Sequence, residues 1–100
     1  MFKVDGFNYY FDWDTNKALS NFKKHGVSFL EAASTFSDVN AVILVDEERL
    51  EQEERFIIIG FSDKTRLLYV CHCYRENNIV RIISARKPTK TEEMKYRNEV

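Results

Sequence analysis

The chain predicts a single α+β domain over residues 1–100, with elements in the order β-α-α-β-β-β-β-α. Three observations carry this. An aromatic run leads into two segments with apolar residues at helical spacing. Four β-branched runs follow, separated by short polar turns. A threonine-led helical segment comes last.

The first strand is "FNYYFDW", Phe7 to Trp13, rich in side chains that suit a pleated surface. Asp14 is placed as an N-cap, and Ala18, Leu19 and Phe22 set a helix from Thr15 to about His25. Trp13, just before the cap, reads as a core or staple residue, with base stacking as its functional alternative. Lys23, Lys24 and His25 followed by Gly26 form a helix stop. Ser28 and Glu31 have capping-box spacing, and Phe29, Ala32, Ala33 and Phe36 form the inward stripe of a second helix ending near Asp38.

The period then changes from helical to extended. "AVILV" (Ala41 to Val45) is a short strand, and "DEERLEQEE" is a charged connection. "RFIIIGF" (Arg55 to Phe61), "RLLYVCHCY" (Arg66 to Tyr74) and "IVRIISA" (Ile79 to Ala85) are three more strands. "SDKT" and "RENN" are the turns between them, and Asn77 and Asn78 tolerate positive φ. Pro88 and Thr89 introduce the last helix, with Glu92 at capping-box distance. Short turns predict an antiparallel meander for the last four strands. Helices grouped at both ends are expected on one sheet face, leaving the other for a site or a partner.

The composition narrows the function classes. With 44% hydrophobic and 31% charged residues, three glycines and one proline, the chain is globular and has little room for linkers. No apolar run reaches the ~20 residues of a membrane span, and "MFKVDGFNYY" lacks a signal-peptide core. The expectation is a soluble cytoplasmic protein with no membrane role. Cys71 and Cys73 lie two apart on one strand, roughly 7 Å from each other, too far for an unstrained disulfide. They read as buried small hydrophobes.

The net charge of −1 hides an asymmetry. Asp38 to Glu54 holds seven acids and one base, whereas Arg75 to Arg97 holds seven bases and three acids. A local basic surface suits phosphate; two solvated faces of a small domain are the plainer account. No Gly-rich phosphate loop, HExxH or CxxC pattern is present. The acids crowd into one stretch, so neither a metal site nor a cofactor is expected.

What remains is a set of cations and histidines: Lys24, His25, Arg66, His72, Arg75, Arg81 and Arg86. Arg81 shares a strand face with Ile79 and Ile83, so it must reach the rim or find an anion. Asp12 or Glu54 would serve, and so would a phosphate. His72, between two cysteines, reads as a hydrogen-bonded core or surface histidine. Metal-free RNA cleavage uses this kind of kit. A ribose 2′-hydroxyl attacks phosphorus, proton donors and acceptors assist, and fixed cations offset the transition-state charge. Histidine suits the proton transfers and arginine the phosphate.

Taken together, "FDWD" with Lys17, "KHGVSFLEA" with Phe36 and Asp38, "ERFIIIG", and "RIISAR" with Glu93 and Tyr96 resemble the BrnT family of bacterial type II toxins. The match runs from about Phe11 to Arg97. The resemblance implies a RelE-like fold, two N-terminal helices and a C-terminal helix on a mainly antiparallel sheet. It also implies a ribonuclease that arrests translation and is neutralised by a ribbon-helix-helix BrnA-like antitoxin. Promoter DNA would then be met only through that antitoxin. Carried over residue by residue, it makes Lys24, His25, Arg81 and Arg86 catalytic candidates. It also makes Tyr96 an RNA-binding candidate and Glu54 and Arg55 weaker ones, and Arg66 and Lys90 join Tyr96 as RNA-binding candidates from the basic residues themselves. The chain departs from the family in "VCHCYRENN" and in its acidic pair Glu92–Glu93. A second reading is therefore a non-catalytic module that acts with an antitoxin as a transcriptional co-repressor. The acidic stretch Asp46 to Glu54 would be its docking surface.

Overall fold

The computed structural model describes residues 2–3, 8–46 and 54–98. The elements are β1 (Phe2–Lys3), β2 (Tyr10–Asp12), α1 (Thr15–His25), α2 (Phe29–Ser34) with a 3₁₀ turn over Thr35–Ser37, β3 (Val42–Val45), β4 (Phe56–Phe61), β5 (Leu67–Arg75), β6 (Ile79–Arg86) and α3 (Lys90–Tyr96). The expected order holds from β2 onward, and β1 is an addition. Most of the charged connection (47–53) and the start of the predicted first strand (Phe7) lie outside the described residues.

Local signals act as their chemistry dictates. Asp14 accepts from the Lys17 amide at 3.1 Å, and Gly26 closes α1 at φ +70°. A Cβ at Gly26 would meet nothing within 4 Å, so the glycine is required by φ alone. Thr89 and Glu92 complete a reciprocal capping box. Ser28 caps α2 through the Glu31 amide, but the Glu31 side chain turns elsewhere. The RENN turn places Asn77 and Asn78 at φ 64° and 59°.

The sheet order is β1-β2-β6-β5-β4-β3. β3 to β6 form the expected antiparallel meander. β2, however, runs parallel to β6, with Tyr10, Phe11 and Asp12 opposite Ile79, Val80 and Arg81. The chain must travel through α1, α2 and the meander to make that pairing, which no local signal announces.

Two further expectations are corrected. Helices occupy both faces of the sheet. Phe11, Ile58, Leu68, Val70, Val80 and Ile82 face α2, where Phe29, Ala32, Ala33 and Phe36 are all buried. The alternate residues Ile57, Ile59, Tyr69, Cys71 and Ile83 face the other way, and Tyr96 of α3 packs there. α1 also leaves its large apolar residues outside the core, with Leu19 66% and Phe22 56% exposed, and of its apolar residues only Ala18 packs against the core. Its buried residue is Asn21.

Asn21 works as a substitute strand. β2 covers only Ile79 to Arg81, so the edge of β6 beyond that is open. Asn21 Nδ2 donates to the Ala85 carbonyl at 2.8 Å, and the Ala85 amide donates to Asn21 Oδ1 at 3.1 Å. Nδ2 also donates to the Val27 carbonyl at 3.1 Å, just past the helix stop. One side-chain amide thus closes an exposed strand edge and fixes α1 against it.

His72 is fully buried, with Phe36 edge-on at 4.9 Å, Nε2 3.2 Å from the Tyr74 hydroxyl and Nδ1 3.3 Å from the Val70 carbonyl. It is a core histidine. Burial lowers its pKa from 6.5 to about 4, against the opposing effect of the Val70 carbonyl. Below pH 6.5 the unfolded chain therefore takes up a proton that the folded chain refuses, and stability falls as pH drops toward 4. Between pH 7 and 5, where most carboxylates stay ionised, this loss is about 2 kcal/mol. Urea unfolding at the two pH values measures it. His72→Phe removes that slope; an unchanged slope in the variant assigns it to another group.

Candidate functional site

α1 runs beside the open part of β6, and a cleft of about 360 Å³ lies between them. Lys17, Ser20, Asn21, Lys24 and His25 line it from the helix, and Ser84 from the strand. The helical residues recur every three or four positions, so one helix face supplies them. Lys24 is exposed and His25 half-buried. Among the described residues, no carboxylate pairs with Lys17, Lys24 or His25. Lys24 and His25 stand in the last turn of α1, where the unpaired helix carbonyls favour cations, whereas Lys17 lies in its first turn.

Arg66, Arg81, Arg86 and Arg97 are all engaged by carboxylates. Arg66 grips Glu31 with both Nε, at 3.0 Å, and Nη2, and Nη2 also reaches the Gly26 carbonyl at 3.1 Å. The Glu31 carboxyl is held below its usual range chiefly by this bond, against the penalty of burial, and Ser62 adds a hydroxyl at 2.7 Å. Arg66 therefore ties the end of α1, the start of α2 and the β4–β5 turn together. It also lines a second cleft of about 320 Å³ with Leu67, Lys87, Pro88 and Glu93.

Arg81 pairs with Asp12 at 2.8 Å, one of the two carboxylates expected for it, and the two residues are register partners. Arg86 makes a two-pronged bond to Glu92 at 2.8 and 3.0 Å and lies 4.1 Å above the centre of the Tyr69 ring. Arg97 pairs with Glu93 at 3.1 Å. Three of the seven bases between Arg75 and Arg97 are thus paired with carboxylates.

A β-bulge directs Arg86. Cys71 faces Ser84 but His72 faces Ile82, so Ile83 is an extra residue in β6. Strict alternation would aim Arg86 into the core with Val80 and Ile82. The bulge instead turns Ala85 inward and Arg86 to the α3 face. Lys24 and His25 are thus brought together at the α1–β6 cleft, while Arg81 and Arg86 do not line it.

The other sequence candidates lie apart from the cleft. Tyr96 donates to Asp38 Oδ2 at 2.7 Å and packs edge-on against Phe61 at 5.5 Å, pinning α3 to β4. Burial raises the Asp38 pKa, but bonds from the Phe61 and Asn40 amides and Tyr96 outweigh it, and the net shift is downward. Gly60 permits this junction, since a Cβ there would lie 3.1 Å from Ala41 Cβ and 3.2 Å from the Thr35 carbonyl. Lys90 is exposed at the start of α3. Glu54 is exposed and Arg55 half-buried, both just before β4. Tyr74 is half-exposed beside Tyr9, with ring centres 5.9 Å apart. Cys71 and Cys73 are buried free thiols, and burial raises the Cys71 pKa to about 11.

Sequence reasoning missed Asn21 and Ser84. A polar residue two positions after Leu19 gives no sign of burial, and Ser84 joins the cleft only through tertiary placement. Among the described residues, no helix is long and apolar enough to cross a membrane.

A family model described as the ribonuclease toxin BrnT of type II toxin-antitoxin systems matches residues 13–92. The fold is similar to the crystal structure of the Brucella abortus ribonuclease toxin BrnT, with a TM-score of 0.59. Identity is 20% over 78% of this chain and 94% of that one. No curated protein matches the chain.

Proposed function

The chain belongs to the BrnT family of ribonuclease toxins of type II toxin-antitoxin systems, and from that premise we propose that it is a metal-independent endoribonuclease acting at the α1–β6 cleft. The supporting observation is the presence there of a lysine and a histidine without carboxylate partners, Lys24 and His25, on a helix end fixed by Asn21. In this reading the whole chain is one RelE-like domain.

The scissile phosphate lies against Lys24 and Lys17, whose charge offsets the added negative charge of the transition state. The ribose 2′-hydroxyl loses its proton to water and attacks the adjacent phosphorus, and the bond from phosphorus to the 5′-oxygen breaks. His25 gives a proton to that leaving oxygen, a role suited to an imidazole at a helix C-terminus. Arg66 and Lys87 extend the positive path beside the cleft, and Lys90 and Tyr96 contact RNA beyond it. Arg81 and Arg86, which do not line the cleft, would meet RNA phosphates outside it by exchanging Asp12 and Glu92 for them. Cleavage would arrest translation in the cytoplasm until a ribbon-helix-helix, BrnA-like antitoxin binds. That antitoxin would carry the contact with promoter DNA.

The test is purified protein with RNA, with and without EDTA. Cleavage unchanged by the chelator is the expected result. Activity lost with EDTA and restored by magnesium would sink the metal-free mechanism. The co-repressor reading draws on the engagement of Arg81 and Arg86 by carboxylates. Indifferent bacterial growth on expression of the chain alone, with a stable antitoxin complex, would favour it over the toxin.

A further inference from the structure

The two long sides of the sheet are finished differently. Asn21 closes the open part of β6, whereas β3 is the last strand on its side and, among the described residues, nothing pairs with its outer edge. Its sequence, Val-Ile-Leu-Val, carries none of the prolines, charges or bulges that guard an edge. The Asp46 amide donates to the Arg55 carbonyl at 2.9 Å, which sets the alternation of the ladder. Val42, Leu44 and Asp46 bond inward, so the amides and carbonyls of Ile43 and Val45 point away from the sheet. Their side chains are 52% and 50% exposed.

Beside this edge opens a groove of about 520 Å³. Leu44, Ile57 and Tyr69 supply its apolar lining, and Asp46, Glu92 and Lys95 its charged lining. An edge with free backbone groups next to a groove for side chains is the arrangement that recognises an added strand.

We propose that β3 is a docking edge for an extended, basic and β-branched segment of a partner protein, which adds to the sheet as a further strand. Charge selects this occupant. Asp46 ends β3 and Glu54 precedes β4, and the sequence from Asp46 to Glu54 carries six acids and one base. A second copy would bring the same net negative stretch and no counter-charge for it, whereas a basic segment supplies one. Naming the partner as the antitoxin rests on the toxin reading above; the edge and its charge preference do not.

Ile43→Pro removes an outward amide and spares the ladder to β4. Val45→Lys alters no backbone and places a positive charge on the edge. The probes are a nine-residue peptide alternating lysine with valine, its glutamate counterpart, and the antitoxin from the same operon, titrated by calorimetry into the full chain. The wild type is expected to bind the lysine peptide at least tenfold more tightly than the glutamate peptide. Both variants should weaken the lysine peptide and the antitoxin at least tenfold, with RNA cleavage unchanged. If Ile43→Pro fails to fold, Val45→Lys decides alone. Equal binding of the lysine peptide by wild type and Val45→Lys would overturn the proposal. So would a wild-type dimer dispersed by Val45→Lys, which assigns the edge to a second copy. A protein that takes the lysine peptide but cuts no RNA loses the ribonuclease reading and keeps the docking edge.

Discussion

RNA cleavage by a His25→Ala variant is expected to be about 10² to 10⁴-fold slower than by the wild type, the range for loss of a general acid or base. The comparison is clean because His25 contributes little to the fold. It is the last residue of α1, and its side chain has no hydrogen bond or ion pair among the described residues. Gly26 still ends the helix, and Asn21 still fixes it to β6. Thermal unfolding should therefore stay within a few degrees of the wild type while cleavage collapses. Activity within a few-fold of wild type, in a variant of normal stability, would remove His25 from the mechanism. Lys24→Ala is expected to behave like loss of a charge contact, with cleavage that becomes less sensitive to added salt.

Asn21→Leu is expected to cost the fold about 3 to 5 kcal/mol. Leucine is close in size, so the loss is one of bonding. The substitution leaves two buried carbonyls, at Val27 and Ala85, and the Ala85 amide without partners. Each such group costs about 1–3 kcal/mol. Urea unfolding should show a lower midpoint with an unchanged slope, and the Ala85 amide should exchange with solvent far faster. In a domain of this size, the loss lowers Tm by well over 10 °C on a scale of roughly 4–8 °C per kcal/mol. A loss below about 1 kcal/mol would mean that water replaces the amide at the strand edge. Cleavage should fall too, because Asn21 sets the cleft that holds His25.

These two residues mark the limit of what can be read from sequence. Asp14, Gly26, Ser28, Thr89 and Asn77–Asn78 were legible because their effects act within a few positions. The inward stripe of α2 was legible for the same reason. Lys24 and His25 were legible as a pair because they are adjacent on one helix. The parallel pairing of β2 with β6 and the second face covered by α3 depend on long-range geometry. So do the salt bridge from Arg66 to Glu31 and the role of Asn21. Leu19 and Phe22 misled because apolar spacing announces a helix face without saying what lies against it. Arg81 and Arg86 became candidates through the family resemblance, and the bulge at Ile83 that turns Arg86 to the α3 face is invisible in "RIISAR".

The parallel pairing also sets when the molecule becomes complete. Tyr10–Asp12 must find Ile79–Arg81, and Asn21 must find Ala85, 64 positions later. During synthesis α1 emerges early, but the strand that supports it comes near the end of the described chain. At about 5–20 residues per second, the helix waits on the order of several seconds for its partner. Contacts of such long range also make folding slow relative to a helical protein of equal size. Under the ribonuclease reading, the nascent chain is unarmed for as long as β6 is missing. The part of the message that encodes everything up to β6 is read before the product is able to cut it.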